Sequence, residues 1–190
     1  GASSAPYAII ASSVATGGTE AVVEQADVAI VGAGVVGLAI ASQVARTGRR
    51  VYILEKNHSF VLETSSHNSQ VIHSGIYYPP GWLKATTCVQ GNALLYELCA
   101  RYGIGHRRVG KVVVATETAE VAELESLLKR GRDNGVHGLR LLSQRELQQR
   151  EPNVAAVVGL LSPNTGIIDC HALMRYYLSV AQEQGAQVAY

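Results

Sequence analysis

Three glycines and one carboxylate are the first residues in this 190-residue chain whose types and spacing suggest chemistry. Gly32, Gly34 and Gly37 form a Gly-x-Gly-x-x-Gly turn, and Glu55 follows eighteen residues after the last of them. At the first position glycine permits a tight turn, at the second it lets the backbone come close to a pyrophosphate, and at the third it lets a helix pack closely on a sheet. The ligand's negative charge then meets N–H groups at the helix start. Glu55 can accept hydrogen bonds from ribose hydroxyls and would repel a 2′-phosphate. Val36 and Lys56, neighbours of Gly37 and Glu55, complete this cofactor-contact set.

A second cluster lies between Ser65 and Pro80: four serines, two histidines (His67 and His73) and two tyrosines within fifteen residues. Hydroxyl and amide groups in Thr64 to Ser69 can cap a helix or donate to phosphate and ring oxygens. The cluster as a whole could supply acid, base and hydrogen-bond donors to one pocket, with Gly75 letting backbone approach something flat. Residue by residue it also reads as a capped turn followed by an edge strand ended by Pro79-Pro80. Lys84, Arg107, Arg108 and Lys111 are the cations nearest in sequence, and arginine suits bidentate carboxylate binding best.

The elements that must hold these groups begin at Asp27. Val28 to Val31 is a β-branched run entering the turn, an apolar helix follows to Thr47 with Gly48 closing it, and Val51 to Leu54 is a second strand ending on Glu55. This strand–turn–helix–strand context separates a dinucleotide-binding βαβ unit from a chance glycine triplet. Leu83 to Tyr102 reads as a helix with Cys88, Leu95, Cys99 and Tyr102 on one face, which makes both cysteines core residues. Lys111 to Ala115 reads as a strand, and Thr118 caps a helix stopped at Asn134-Gly135. Leu139 to Leu142 follows as a short strand, and Ser143-x-x-Glu146 is a capping box ahead of a short helix ended by Pro152. Val157 to Leu161 is a strand, Ser162 to Gly166 a turn, Asp169 caps a helix to about Gln184, and Gln187 to Tyr190 begins another strand.

Composition bounds the function classes. The chain is 47% hydrophobic with sixteen basic and fifteen acidic residues, so it can bury a core and shows no electrostatic footprint for nucleic acid. Cys88, Cys99 and Cys170 are odd in number and lack C-x-x-C spacing, which predicts neither a disulfide framework nor a metal site. The longest nonpolar run, Val28 to Ala41, is too short to cross a bilayer. Residues 1–26, without Lys or Arg, match neither a signal nor a transit peptide and read as a flexible leader, with a short strand or helix at Tyr7 to Val14.

With SSHNSQVIHSGIYYPP, KATTCVQG, GKVVVATE, NGVHGLRLLS and SPNTGIIDCHALM on view, the sequence from Asp27 to Tyr190 resembles the L-2-hydroxyglutarate dehydrogenase family. That family belongs to the FAD-dependent oxidoreductases of the D-amino-acid oxidase type. The resemblance implies an α/β fold: a Rossmann-like FAD-binding βαβ domain with a parallel sheet, plus part of a smaller α+β substrate domain. It places the first part of the FAD domain at 27–103, part of the substrate or cap domain at 104–155, and a return to the FAD domain at 156–190. The C-terminal half of the family pattern lies beyond Tyr190. By resemblance, Gly32, Gly34 and Gly37 match the pyrophosphate turn, Glu55 the ribose carboxylate, and Ser66, His67, Asn68 and Ser69 the segment along FAD. His73 would face the pocket as base. Relatives often carry Gly or Glu where Gln70 stands, and Tyr where Cys170 stands. The implied reaction oxidises L-2-hydroxyglutarate, a 2-hydroxy dicarboxylate, to 2-oxoglutarate, with electrons passing on to an acceptor other than NAD. The implied location is mitochondrial in a eukaryote, and otherwise cytoplasmic or peripheral to the inner membrane. The alternatives are another substrate within the superfamily, an amino acid or glycerol 3-phosphate, or a truncated non-catalytic FAD-binding module. An NAD-dependent dehydrogenase fits the glycine unit and Glu55 taken alone.

Overall fold

The computed structural model describes residues 7–10, 23–60 and 68–190. In chain order these form β1 (Tyr7–Ile10), β2 (Val23–Ala26), β3 (Val28–Val31), α1 (Val35–Val44), β4 (Val51–Leu54), β5 (Val71–Ile72), α2 (Leu83–Tyr102), β6 (His106–Arg107) and β7 (Lys111–Ala115). They continue with α3 (Val121–Asp133), β8 (Arg140–Ser143), α4 (Gln144–Arg150), β9 (Val158–Ser162), β10 (Gly166–Ile168), α5 (Cys170–Glu183) and β11 (Gln187–Ala189). Most of the expected leader lies outside the described residues; within it, β1 pairs antiparallel with β2.

The chain divides into two compact units, one running to Asn68 and resuming at Cys170–Tyr190, the other spanning Ser69–Asp169. In the first, β3, β4 and β11 form a parallel sheet in the order β11-β4-β3, with Val28 opposite Val51 and Val188 opposite Ile53. Parallel neighbours need a crossover, which α1 provides between β3 and β4. Alternate strand residues point to opposite faces. Ile30 and Ile53 therefore enter a core with Leu38 and Ala41 of α1 and Met174 and Ala181 of α5. Val31, one residue on from Ile30, is 86% exposed. Each fully buried Leu, Ile or Met in this core stabilises the unit by roughly 1.5–3 kcal/mol relative to exposure.

In the second unit β9 lies between β7 and β8 in an antiparallel sheet, and β10 lies between β5 and β6 in a smaller one. Leu160 of β9, Ala115 of β7 and Leu124 of α3 share a core with Ile76, Val136 and Leu139. The units divide at 68/69 and 169/170. The physical reason is pairing across the sequence: β5 hydrogen-bonds to β10, and Asn92 and Tyr96 of α2 donate to the Asn164 carbonyl ahead of β10. These links carry α2 and β9–β10 into the second unit.

Several local expectations are corrected. The buried residues of α2 are Ala85, Asn92, Tyr96 and Cys99, whereas Tyr102 is 45% exposed and Cys88 only half-buried. The start of the α3 region is capped by reciprocal bonds between Glu117 and Glu120 around a short 3-10 turn, not by Thr118. Strand β10, unforeseen, begins inside the Ser162 to Gly166 turn. The box of Ser143 and Glu146 stands as read, each side chain bonding to the other's backbone N–H.

Candidate functional site

The glycine turn is built by the end of β3. Gly32 takes φ +98°, a left-handed conformation that glycine adopts without steric cost, and its N–H donates to the Leu54 carbonyl at 2.7 Å. Gly34 is the N-cap of α1, so no side chain caps that helix, and its first turn holds no acidic residue that would repel a phosphate. A Cβ on Gly37 would fall on the Gly32 carbonyl oxygen; the bare Cα is what lets α1 sit on the turn. Val36 lies in the same first turn with its side chain 67% exposed.

Glu55 closes this arrangement from the end of β4. Its Oε2 accepts from the Ala33 N–H at 2.8 Å, while Oε1 accepts from the N–H and Nδ2 of Asn57 at 2.9 and 3.0 Å. The Ala33 hydrogen bond is the main reason that the carboxyl titrates below its ordinary range, with Asn57 and then the nearby Lys56 charge adding to it. An ionised carboxylate offers about four acceptor positions, so three N–H donors leave one for a hydroxyl. Uncapped helix start, close glycine turn and ionised carboxylate together fit the pyrophosphate and ribose of a dinucleotide.

Ser66 and His67 lie outside the described residues. Asn68 and Ser69 are exposed, and the Asn68 amide lies 3.9 Å from the Cys170 sulfur. Gln70 is the one non-glycine with positive φ among the described residues, at 55°.

His73 belongs to the second unit, directly after β5. It borders a notch of about 10 Å³ shared with Lys111, Tyr77 and Thr165. Partial desolvation, and after it the Lys111 charge, lower its pKa, which favours the neutral imidazole. Several polar groups hold this segment in place. Asn92 Nδ2 donates to the His73 carbonyl at 3.0 Å and the Cys88 thiol approaches the same oxygen at 3.7 Å. Asn134 Nδ2 donates to the carbonyls of Gly75 and Tyr78 at 2.9 and 2.8 Å. Ser74, Ser162 and Thr165 form a buried hydroxyl trio, with 2.8 Å between the two serines and 3.1 Å from Ser162 to Thr165. Gly75 is correspondingly structural: φ is +98°, and a Cβ there would lie 2.8 Å from Val89 Cγ2 of α2.

Of the four cations expected to serve a carboxylate ligand, Lys111 alone lines the notch with His73. Arg108 stacks 4.2 Å above the Tyr96 ring, Lys84 lies 4.8 Å above Tyr78, and Arg107 is exposed on β6. Sequence reading missed Asn92 and the hydroxyl trio and took Asn134 only for a helix stop. The available signal was Asn92 itself, a polar residue of modest helix propensity in mid-helix beside an apolar stripe. Among the described residues no three His, Cys, Asp or Glu side chains converge as a metal site, and no helix is long and apolar enough to cross a membrane.

The chain is 47% identical over 160 residues to the mitochondrial L-2-hydroxyglutarate dehydrogenase of Arabidopsis thaliana, and 42% identical over 164 residues to that of Homo sapiens. These alignments cover 84% and 85% of the chain but 33% and 35% of the relatives, so the chain spans about a third of their length. Among solved structures, L-alpha-glycerophosphate oxidase from Mycoplasma pneumoniae with FAD bound superposes with a TM-score of 0.82 at 31% identity, covering 86% of this chain and 44% of that one. Glycine oxidase from Geobacillus kaustophilus gives 0.74 at 26% identity, over 86% of this chain and 46% of that one. A family model described as FAD dependent oxidoreductase matches residues 27–190, from the strand that enters the glycine turn through β11. That match spans the glycine turn and Glu55, and the chain belongs to the FAD dependent oxidoreductases.

Proposed function

We propose that the protein oxidises L-2-hydroxyglutarate to 2-oxoglutarate. The observation that carries this reading is the 47% identity to a relative of that name across 84% of the chain. In the proposed division of labour, the first unit holds the ADP half of FAD through Gly32, Gly34, Val36, Gly37, Glu55 and Lys56, and Ser66 to Ser69 run along the cofactor. FAD, when bound, would supply the hydride acceptor for oxidation at the substrate's hydroxyl-bearing carbon. His73 takes the hydroxyl proton, for which a neutral imidazole at physiological pH is the required state. Electrons then leave for an acceptor other than NAD, in the mitochondrion if the source is a eukaryote and otherwise in the cytoplasm or at the periphery of the inner membrane; the relatives' names, which read mitochondrial, support the first.

The test is the absorbance spectrum of the flavin-loaded full-length protein before and after anaerobic L-2-hydroxyglutarate. Bleaching of the flavin bands is expected. Bands that persist with L-2-hydroxyglutarate overturn the reading, and bleaching by glycerol 3-phosphate alone would favour the chemistry named for the Mycoplasma structural neighbour.

A further inference from the structure

We infer that Lys111 seats one carboxylate of the substrate beside His73, with the Tyr77 ring holding its ammonium in place. This rests on the proposed oxidation of a 2-hydroxy dicarboxylate and assigns the substrate-recognition charge of that site.

The placement follows from the backbone outward. Lys111 opens β7, where it pairs with Ser162 of β9. Ser162 is fully buried and its hydroxyl lies 2.8 Å from that of Ser74, the residue after His73. The same buried hydroxyl thus ties the strand opposite Lys111 to the segment that carries His73, and both side chains border one notch. The ammonium lies 4.4 Å from the Tyr77 ring centroid. A ring face orients a cation but does not neutralise it. Among the described residues Lys111 has no acidic partner, and it is half-buried, so its charge lacks both a counter-ion and part of its hydration. A carboxylate supplies the missing counter-charge. The notch volume of about 10 Å³ admits a single oxygen atom, leaving the remainder of the ligand outside it.

Charge near His73 comes from few directions. Lys111 approaches from β7 and Cys88 from α2, and Tyr77 and Tyr78 stand on the histidine's own segment. Lys111 is the one cation among them that lines the notch, which makes Lys84 the natural control.

The experiment uses the flavin-loaded full-length protein and its Lys111→Met, Lys111→Gln, Lys111→Arg and Lys84→Met variants. Calorimetry reads the affinity for glutarate, a non-reacting dicarboxylate, and for butyrate, its monocarboxylate counterpart; kinetics reads KM, kcat and the pH profile. Loss of one charge-assisted hydrogen bond predicts that Lys111→Met and Lys111→Gln weaken glutarate by about tenfold or more. Butyrate binding should hold, KM should rise more than kcat falls, and Lys111→Arg should restore most of the affinity. The acid limb of the kcat/KM profile should move upward in pH when the Lys111 charge is removed. Glutarate affinity within twofold of wild type in a folded Lys111→Met or Lys111→Gln variant overturns the inference. So does equal weakening by Lys84→Met, or wild-type protein that does not bind glutarate. Lys111-dependent glutarate binding in a protein whose flavin L-2-hydroxyglutarate leaves oxidised supports the lysine's role while rejecting the proposed substrate.

Discussion

Replacing Gly37 with alanine sets two effects of opposite sign against each other. Glycine within a helix costs about 1 kcal/mol relative to alanine, so helix propensity alone predicts that Gly37→Ala stabilises the protein. The new Cβ, however, would fall on the carbonyl oxygen of Gly32 and lie 3.3 Å from Ile30 Cγ2. The first is backbone of the turn, and the second belongs to a side chain only 9% exposed in the core. Neither can retreat unless α1 moves away from β3, and overpacking of this kind costs roughly 1–3 kcal/mol. An overlap with backbone belongs in the upper part of that range, leaving a net loss of about 1–2 kcal/mol. For a chain of this size that lowers Tm by roughly 2–8 °C. The assay is thermal unfolding of flavin-free protein followed by circular dichroism, with FAD affinity read separately by flavin fluorescence. Displacing α1 shifts the helix start proposed to receive the pyrophosphate, so FAD binding should weaken as well. A Tm equal to or above wild type with unchanged FAD affinity would refute the close-packing role given to Gly37.

Two further substitutions probe the second unit. Glu146 is held at a pKa of about 2, first by the Ser143 N–H and then by the Arg140 guanidinium and the Ser143 hydroxyl. Because the folded value is depressed, its contribution is complete above the ordinary value of 4.5 and disappears as pH falls through about 2. The Tm difference between wild type and Glu146→Gln should therefore close across that interval, and a gap that is the same at both ends contradicts this. Ser162→Val removes the hydroxyl shared by Ser74 and Thr165, leaving these two buried groups with only their 3.4 Å contact. The expected cost is about 1–3 kcal/mol, read as a lower denaturant midpoint, and an unchanged midpoint would show that the trio contributes no net stability.

What could be read along the chain was local. The spacing of Gly32, Gly34 and Gly37 reports turn geometry, helix start and helix–sheet packing, all set within six residues. Ser143 and Glu146 announce a helix start because the capping box closes over three residues. Parallel pairing of β3 with β4 follows from the crossover helix between them. Hydrophobic periodicity located α2 but misjudged its face. Cys88, Leu95, Cys99 and Tyr102 fit one stripe, yet Asn92 and Tyr96 are buried because they donate to carbonyls of distant loops. Apolar periodicity does not register a polar side chain buried by its hydrogen bonds.

The glycine turn and the strand end at Glu55 were thus legible before any fold was known, because both are set by backbone conformation over a short stretch of chain. The surroundings of His73 were not. His73 and Lys111 stand thirty-eight residues apart, and they border one notch only because β7 pairs with β9 and a buried hydroxyl on β9 bonds to Ser74, eighty-eight positions away in sequence. Strand pairing at such separation depends on which faces the folded unit buries. Folding alone distinguishes the lysine beside His73 from the three other cations that sequence proximity offered.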